Sequence, residues 1–477
     1  MISAGLRAAG LHACLTACLT LAACSAVGPT YQVPADAMVN APAANGAFVG
    51  ASASVDGEPA PRKWWRLYDD LRLNALVEDG LAANTDLRAA AANIGRAEAS
   101  LRAAADAAEP QTKVEAAFGY QRLSAEQYLL THTIPSLGLY DTGVGVSYQI
   151  DLFGQIKRGI EAAAADEDAA RAAYDVTRIT VAAEIVRAFV EACAAGHALD
   201  VARRTLELQR RSLDVTDHLV RAGLGSVLDR TRSSAQVDQF RANIPQLEAD
   251  RRTALYRLAV LTGKAPASFP KDVEGCAAEP VLTRPIPVGD GAALLRRRPD
   301  IRQAERLLAA ATARIGVATG DLYPKIGFGV TAGSTGAIND FLSGPTLRWG
   351  FGPLISWDFP QQNATRARIA SAEAATQGAL ANFDGKVLAA LRETESALTV
   401  YAHDLDRAAA LRAARDQAAQ ASDQAETLYR AGREGALTEL DADRVLAGAD
   451  QALAAGEAKV ALDQVTLFLA LGGGWEE

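Results

Sequence analysis

Residues 155–221 read QIKRGIEAAAADEDAARAAYDVTRITVAAEIVRAFVEACAAGHALDVARRTLELQRRSLDVTDHLVR. Leu, Val and Ile recur there at helical spacing among Ala, Arg, Glu, Asp and Gln, the composition of strong helix formers. A second run of the same character extends from Gln361 to about Arg430, and the two lie in proline-free stretches, Ser136 to Ile244 and Gln361 to Glu477. A continuous helix of that length reaches ~100 Å at 1.5 Å per residue, several times the depth of an ordinary domain. Such helices are built to span a distance.

The second run echoes the first. At a constant offset of 209, Leu219, Arg221, Ala222, Gly223, Leu228, Leu258 and Gly263 meet Leu428, Arg430, Ala431, Gly432, Leu437, Leu467 and Gly472. Both copies predict a long helix ending at Ala-Gly, a short turn and a returning helix. The upstream helices repeat at an offset of 214, where Asp86, Arg88 and Pro110 meet Asp300, Arg302 and Pro324. The chain is a duplication. Pro245 breaks the symmetry, since its partner position is Ala454, and it predicts a kink or a helix end.

Strict alternation begins where helical period stops. Val114, Ala116, Phe118 and Tyr120 share one face of a strand, and Val144, Val146, Tyr148 and Ile150 one face of the next. In the second half Ile326, Phe328, Val330 and Ala332, then Trp349, Phe351, Ile355 and Trp357, do the same. The opposite faces are polar or very small. A soluble half-buried sheet gives this pattern too, but four such strands with aromatics near their ends fit a lipid-facing barrel with a wet interior. Four strands cannot enclose a channel, since even eight fill their interior with side chains. Several copies must therefore share one barrel.

The segments that follow are a signal peptide at 1–23, an extended arm at 24–63, a first repeat at 64–265, a linker at 266–290 and a second repeat at 291–477. The first repeat holds strands at about 112–121 and 142–151, the second at about 325–333 and 348–358. Within the arm's successor, Trp64-Trp65 opens a helical segment, and Asn84 or Thr85 caps the helix after it. The signal has Arg7 as its positive end, an apolar run from Ala8 to Leu21, and the lipoprotein-type site Leu21-Ala22-Ala23-Cys24. Cleavage before Cys24 leaves a lipid-bearing cysteine at the outer membrane. In the mature chain Cys193 lies in a long helix and Cys276 in the linker, a placement that argues against a disulfide framework.

Composition excludes other classes. A net charge of −9 over 477 residues, with no basic patch among aromatics, argues against nucleic acid. Arg296-Arg297-Arg298-Pro299-Asp300 reads as a helix boundary, with Pro299 in the first turn and Asp300 at the dipole's positive end. Five scattered histidines offer no metal-ligand spacing, and no nucleophile elbow is present, so neither an enzyme nor a bound metal or cofactor is expected.

Several stretches together resemble the TolC-like outer-membrane efflux family, in its lipoprotein (NodT-type) branch. They are Leu21-Ala22-Ala23-Cys24 with Gly28-Pro29-Thr30-Tyr31, Trp64-Trp65, Tyr148 to Gly154, Arg297-Arg298-Pro299-Asp300-Ile301, Ala431-Gly432 and Ala470 to Trp475, in the family's order. The resemblance implies a mainly α protomer whose long helices form an α-barrel and whose four strands join a trimeric transmembrane β-barrel. It implies a homotrimer in outer-membrane lipid, partnered by a periplasmic adaptor and an inner-membrane pump of the resistance-nodulation-division class, as an exit duct for drugs or other small molecules. The outlet of a heavy-metal or type I secretion system stays open as an alternative, as does a structural coiled-coil lipoprotein without a channel.

In similar proteins the turn of the second helical hairpin closes the periplasmic end. The resemblance places Tyr429, Leu437 and Asp441 at that constriction, with Leu437 and Asp441 four apart on one helix face. Spacing alone reads Asp441 as a solvated helix charge between Glu439 and Asp443. Thr438 stands where the family often has a second acid, and Asp229, its equivalent in the first half, is the candidate to supply one.

Overall fold

The computed structural model describes residues 26–473 apart from 123, 127, 128, 130, 283, 360 and 361. Residues 1–25, including the signal segment and Cys24, lie outside the described residues. Helices α1 (Leu71–Ala83) and α2 (Thr85–Asp106) lead to strands β1 (Gln111–Gln121) and β2 (Leu137–Ile150). The hairpin α3 (Gln155–Arg221) and α4 (Val227–Leu261) follows. The second half repeats the order: α5 (Gly291–Arg297), α6 (Pro299–Gly320), β3 (Lys325–Ala337), β4 (Leu347–Ser356), α7 (Gln362–Arg430) and α8 (Ala436–Ala470). The second strand begins at Leu137, several residues before its alternation becomes legible, because Gly138 and Asp141 interrupt the apolar pattern.

Local chemistry sets the boundaries. The Asp70 carboxylate accepts the N–H groups of Arg72 and Leu73 and caps α1. Of the two candidates for α2, Asn84 is the cap: its Oδ1 accepts from Asp86 N at 2.8 Å, and its Nδ2 donates to the Leu261 carbonyl at 3.0 Å. At the corner after β2, Gly154 adopts φ +74°, and a Cβ there would run into Ala26. Helix α4 runs unbroken through Pro245, so that residue marks no helix end, although it has no N–H to give the preceding turn.

The chain divides into two compact units. One comprises residues to Pro34, Ile94–Ala170 and Ala304–Phe383; the other comprises Ala35–Asn93, Arg171–Gln303 and Asp384–Glu477. The first unit carries the sheet, an antiparallel meander in the order β1-β2-β3-β4. Its register puts the apolar residues in rows: Val114 opposite Val144, Val144 opposite Ala332, and Ala332 opposite Trp349. Val146, Val330 and Phe351 form the next row, and Ile150, Ile326 and Ile355 another. A one-residue slip would turn each set over.

The second unit carries the main core. Trp64 stacks on Phe468 at 4.5 Å between ring centres, and Trp65, Phe189, Leu255 and Leu258 are buried with them. Each fully buried large side chain contributes about 1.5–3 kcal/mol. Gly80 packs where a Cβ would strike Ile185, bringing α1 close to α3.

One sequence expectation is corrected. Cys193 and Cys276 are joined by a disulfide across 83 residues. Gly196, one turn further along α3, leaves room for the Cys276 carbonyl, which a Cβ would meet at 2.0 Å. Spacing in the chain carries no sign of this pairing, because it depends on the linker folding back onto α3.

Candidate functional site

The two interhelical turns are built alike and capped differently. Gly223 (φ +72°) and Gly432 (φ +66°) end α3 and α7. Leu224 N donates to the Leu219 carbonyl at 2.8 Å, and Arg433 N to the Leu428 carbonyl at 2.9 Å, the six-to-one bond of a Schellman turn in both copies. Helix α4 then starts with a capping box between Ser226 and Asp229. The equivalent position before α8 is Gly435, which has no side chain to offer, a difference of a few tenths of a kcal/mol.

Tyr429, in the last turn of α7, and Leu437, in the first turn of α8, are both exposed in the protomer. Asp441 pairs with Arg444 on the same helix. Asp229 belongs to the other hairpin and is engaged by its cap: Ser226 Oγ donates to its Oδ2 at 2.6 Å, which holds the carboxyl below its ordinary value. Glu439, beside the second turn, is shifted in the opposite direction to Asp229. Burial, then Asp443 and Glu426, push its carboxyl up. The spacing of Glu439 and Asp443 is visible in the chain, but the approach of Glu426 from α7 is not.

Pairs between helices repeat with the duplication. Arg203 bonds Glu248 at 2.9 Å and Arg412 bonds Glu457 at 2.5 Å, both members offset by 209. In the second half alone, Lys459 lies between two acids, 3.2 Å from Asp404 and in contact with Asp463. Burial raises the Asp463 carboxyl, while the hydrogen bond from Asp463 lowers Asp404.

Two arginines of the run, Arg297 and Arg298, are buried and consumed internally. Arg298 Nη1 donates to the Ala470 carbonyl at 2.9 Å and Nη2 to Glu393 at 2.9 Å; Arg297 Nε donates to the Leu471 carbonyl at 3.0 Å. Both cations thus sit at the C-terminal end of α8, where the helix dipole favours them.

At the strand-to-helix corners of the first unit, aromatic rings gather. Phe153 stacks on Tyr323 at 4.5 Å, and Trp357 Nε1 donates to the Leu322 carbonyl at 3.1 Å. The arm is held at the same corner. Val27 N donates to the Phe153 carbonyl at 2.9 Å, and Arg158 donates to the carbonyls of Val27 and Gly28, each at 3.1 Å. Among the described residues no helix is long and apolar enough to cross a membrane.

A duplicated chain of paired long helices, carrying a sheet with one continuous apolar face, has the make-up of an outer-membrane channel subunit. The outer membrane efflux protein family matches residues 76–264 and 292–473. The chain is 31% identical to the outer membrane protein OprJ of Pseudomonas aeruginosa, over 98% of this chain and 96% of that protein. It is 30% identical to Nodulation protein T of Rhizobium leguminosarum bv. viciae, over 89% and 87%. The solved outer-membrane channel OprN superposes with a TM-score of 0.86 at 34% identity, over 94% of this chain and 99% of that one. This protein belongs to the outer membrane efflux protein family. It is an efflux channel of the outer membrane with the TolC-like fold.

Proposed function

We propose that three copies close a twelve-stranded barrel and act, with a periplasmic adaptor and an inner-membrane pump of the resistance-nodulation-division class, as the passive exit duct of a tripartite system for small molecules. The observation that carries this reading is the sheet. All four strands bring apolar side chains into register on one exposed face, including Val114, Phe118, Phe351 and Ile355, while Leu137, Leu139 and Leu354 lie on the other. A patch of that kind needs lipid or a partner. The edge strands β1 and β4, 11 and 10 residues long, need neighbours for their unpaired backbone groups. Adjoining copies supply both needs.

The lipid anchor is Cys24 and the duct binds no other cofactor. Ala26, two residues after the proposed anchor, packs against Gly154 at the aromatic corner. The constriction is formed by Tyr429, Leu437 and Asp441, with Asp229 adjoining them from the other hairpin. No step of this function is catalytic, and the pump supplies the energy.

Extraction in mild detergent tests the assembly. Heat-modifiable trimers that make liposomes permeable to ions are expected, and monomers that leave liposomes sealed would overturn it.

A further inference from the structure

The polar face of the sheet has a floor of glycine, with Gly143, Gly145, Gly329, Gly333, Gly350 and Gly352 at its centre. Arg348 on β4 stands opposite Gly333, and its side chain lies across β3 to reach β2. Its Nη2 contacts Asp141 Oδ1 at 2.6 Å. Its Nε donates to Thr335 Oγ1 at 2.9 Å, and that hydroxyl donates to Asp141 Oδ1 at 2.7 Å. A Cβ on Gly143 would sit 3.3 Å from Nη2, and one on Gly333 3.2 Å from the guanidinium carbon. Glycine at both positions lets the arginine lie flat.

This pair is half exposed, so it adds little to stability. Its consequence is for the surface. The charged side chains of the four strands are Lys113, Glu115, Asp141, Lys325 and Arg348, and the register puts all of them on this face. Lys113 pairs with Glu115, and Lys325 with Asp321 just before its strand. The face is wide and electrically cancelled.

We propose that Asp141, Thr335 and Arg348 are specificity-determining residues of the channel: the network pins a long cation against the wall and neutralises it, so the barrel passes cargo without selecting for charge. The inference rests on the reading of the strands as a shared barrel wall. With Asp141 removed, three arginines per channel project into the passage and favour anions. With Arg348 removed, three carboxylates favour cations.

The test is the K⁺/Cl⁻ permeability ratio of purified protein in planar bilayers under a KCl gradient. Asp141→Asn should lower the ratio and Arg348→Gln raise it, each about sevenfold, because one uncompensated charge at ~7 Å in water shifts each ion about 2.7-fold and shifts K⁺ and Cl⁻ in opposite directions. The double variant Asp141→Asn/Arg348→Gln should return to the wild-type ratio. The exchange Asp141→Arg/Arg348→Asp keeps a pair and covers the case in which a single variant fails to assemble. The series is repeated with Leu437→Ala and Asp441→Ala in place, so that charge at the turns does not dominate. Unmoved ratios in a conducting protein, or single variants shifting in the same direction, overturn this inference alone. A protein that conducts no ions even with Leu437→Ala and Asp441→Ala in place overturns the barrel reading itself.

Discussion

Cys193 of α3 is disulfide-bonded to Cys276 of the inter-repeat linker, and one turn along the helix His197 Nδ1 lies 2.9 Å from Glu279 Oε2. The linker is thus held to the long helix at two adjacent points. Oxidation of this kind belongs to an extracytoplasmic compartment. Cys276→Ser, or reduction of the wild type, should lower stability by about 2–4 kcal/mol. Thermal melts with and without reductant read the difference; identical melting points would show that the bond contributes nothing.

Arg298 ties together α6, α7 and the end of α8 through Asp300, Glu393 and the Ala470 carbonyl. Its guanidinium is held in the charged form: burial works against it, but Asp300 and Glu393 prevail and raise its pKa. Arg298→Ala leaves these acceptors without their cation and should cost about 2–3 kcal/mol in chemical denaturation. Arg298→Lys should recover only part, because one ammonium cannot reproduce the fork.

Removing the proposed constriction should open the resting channel. Leu437→Ala combined with Asp441→Ala is expected to raise single-channel conductance in planar bilayers. Unchanged conductance would remove both residues from the narrow point.

Glu439 gives the second hairpin a pH dependence. Its folded-state pKa lies above the ordinary value of 4.5, through burial, Asp443 and Glu426. Its contribution to stability is therefore fully present below pH 4.5 and is lost as pH rises through the folded value. Glu439→Gln should match the wild type near pH 4 and exceed it toward neutrality, by about 0.5 kcal/mol or less at so exposed a site. Denaturation midpoints at several pH values check the sign; a variant less stable at pH 7 would contradict it.

Cys24→Ser should abolish metabolic labelling with fatty acid while leaving the trimer intact, since Val27 is held at the corner by the Phe153 carbonyl and Gly28 by the Arg158 side chain, contacts that need no lipid. Loss of the trimer together with the label would make the anchor part of assembly.

The sequence by itself determined the long helices, the duplication and the two-faced strands. Those features are periodic, at 3.6 and 2 residues, and the Ala-Gly stops before Gly223 and Gly432 follow from the left-handed turn each glycine makes. Only the tertiary structure decided which partner each polar group met. Cys193 found Cys276 of the linker, Glu426 approached Glu439 from another helix, and Arg348 crossed a strand to Asp141. Pattern records which way a side chain faces relative to its own neighbours in the chain. Pairing depends on where a second segment, remote in sequence, is brought by the packing of the whole, and no local period carries that information.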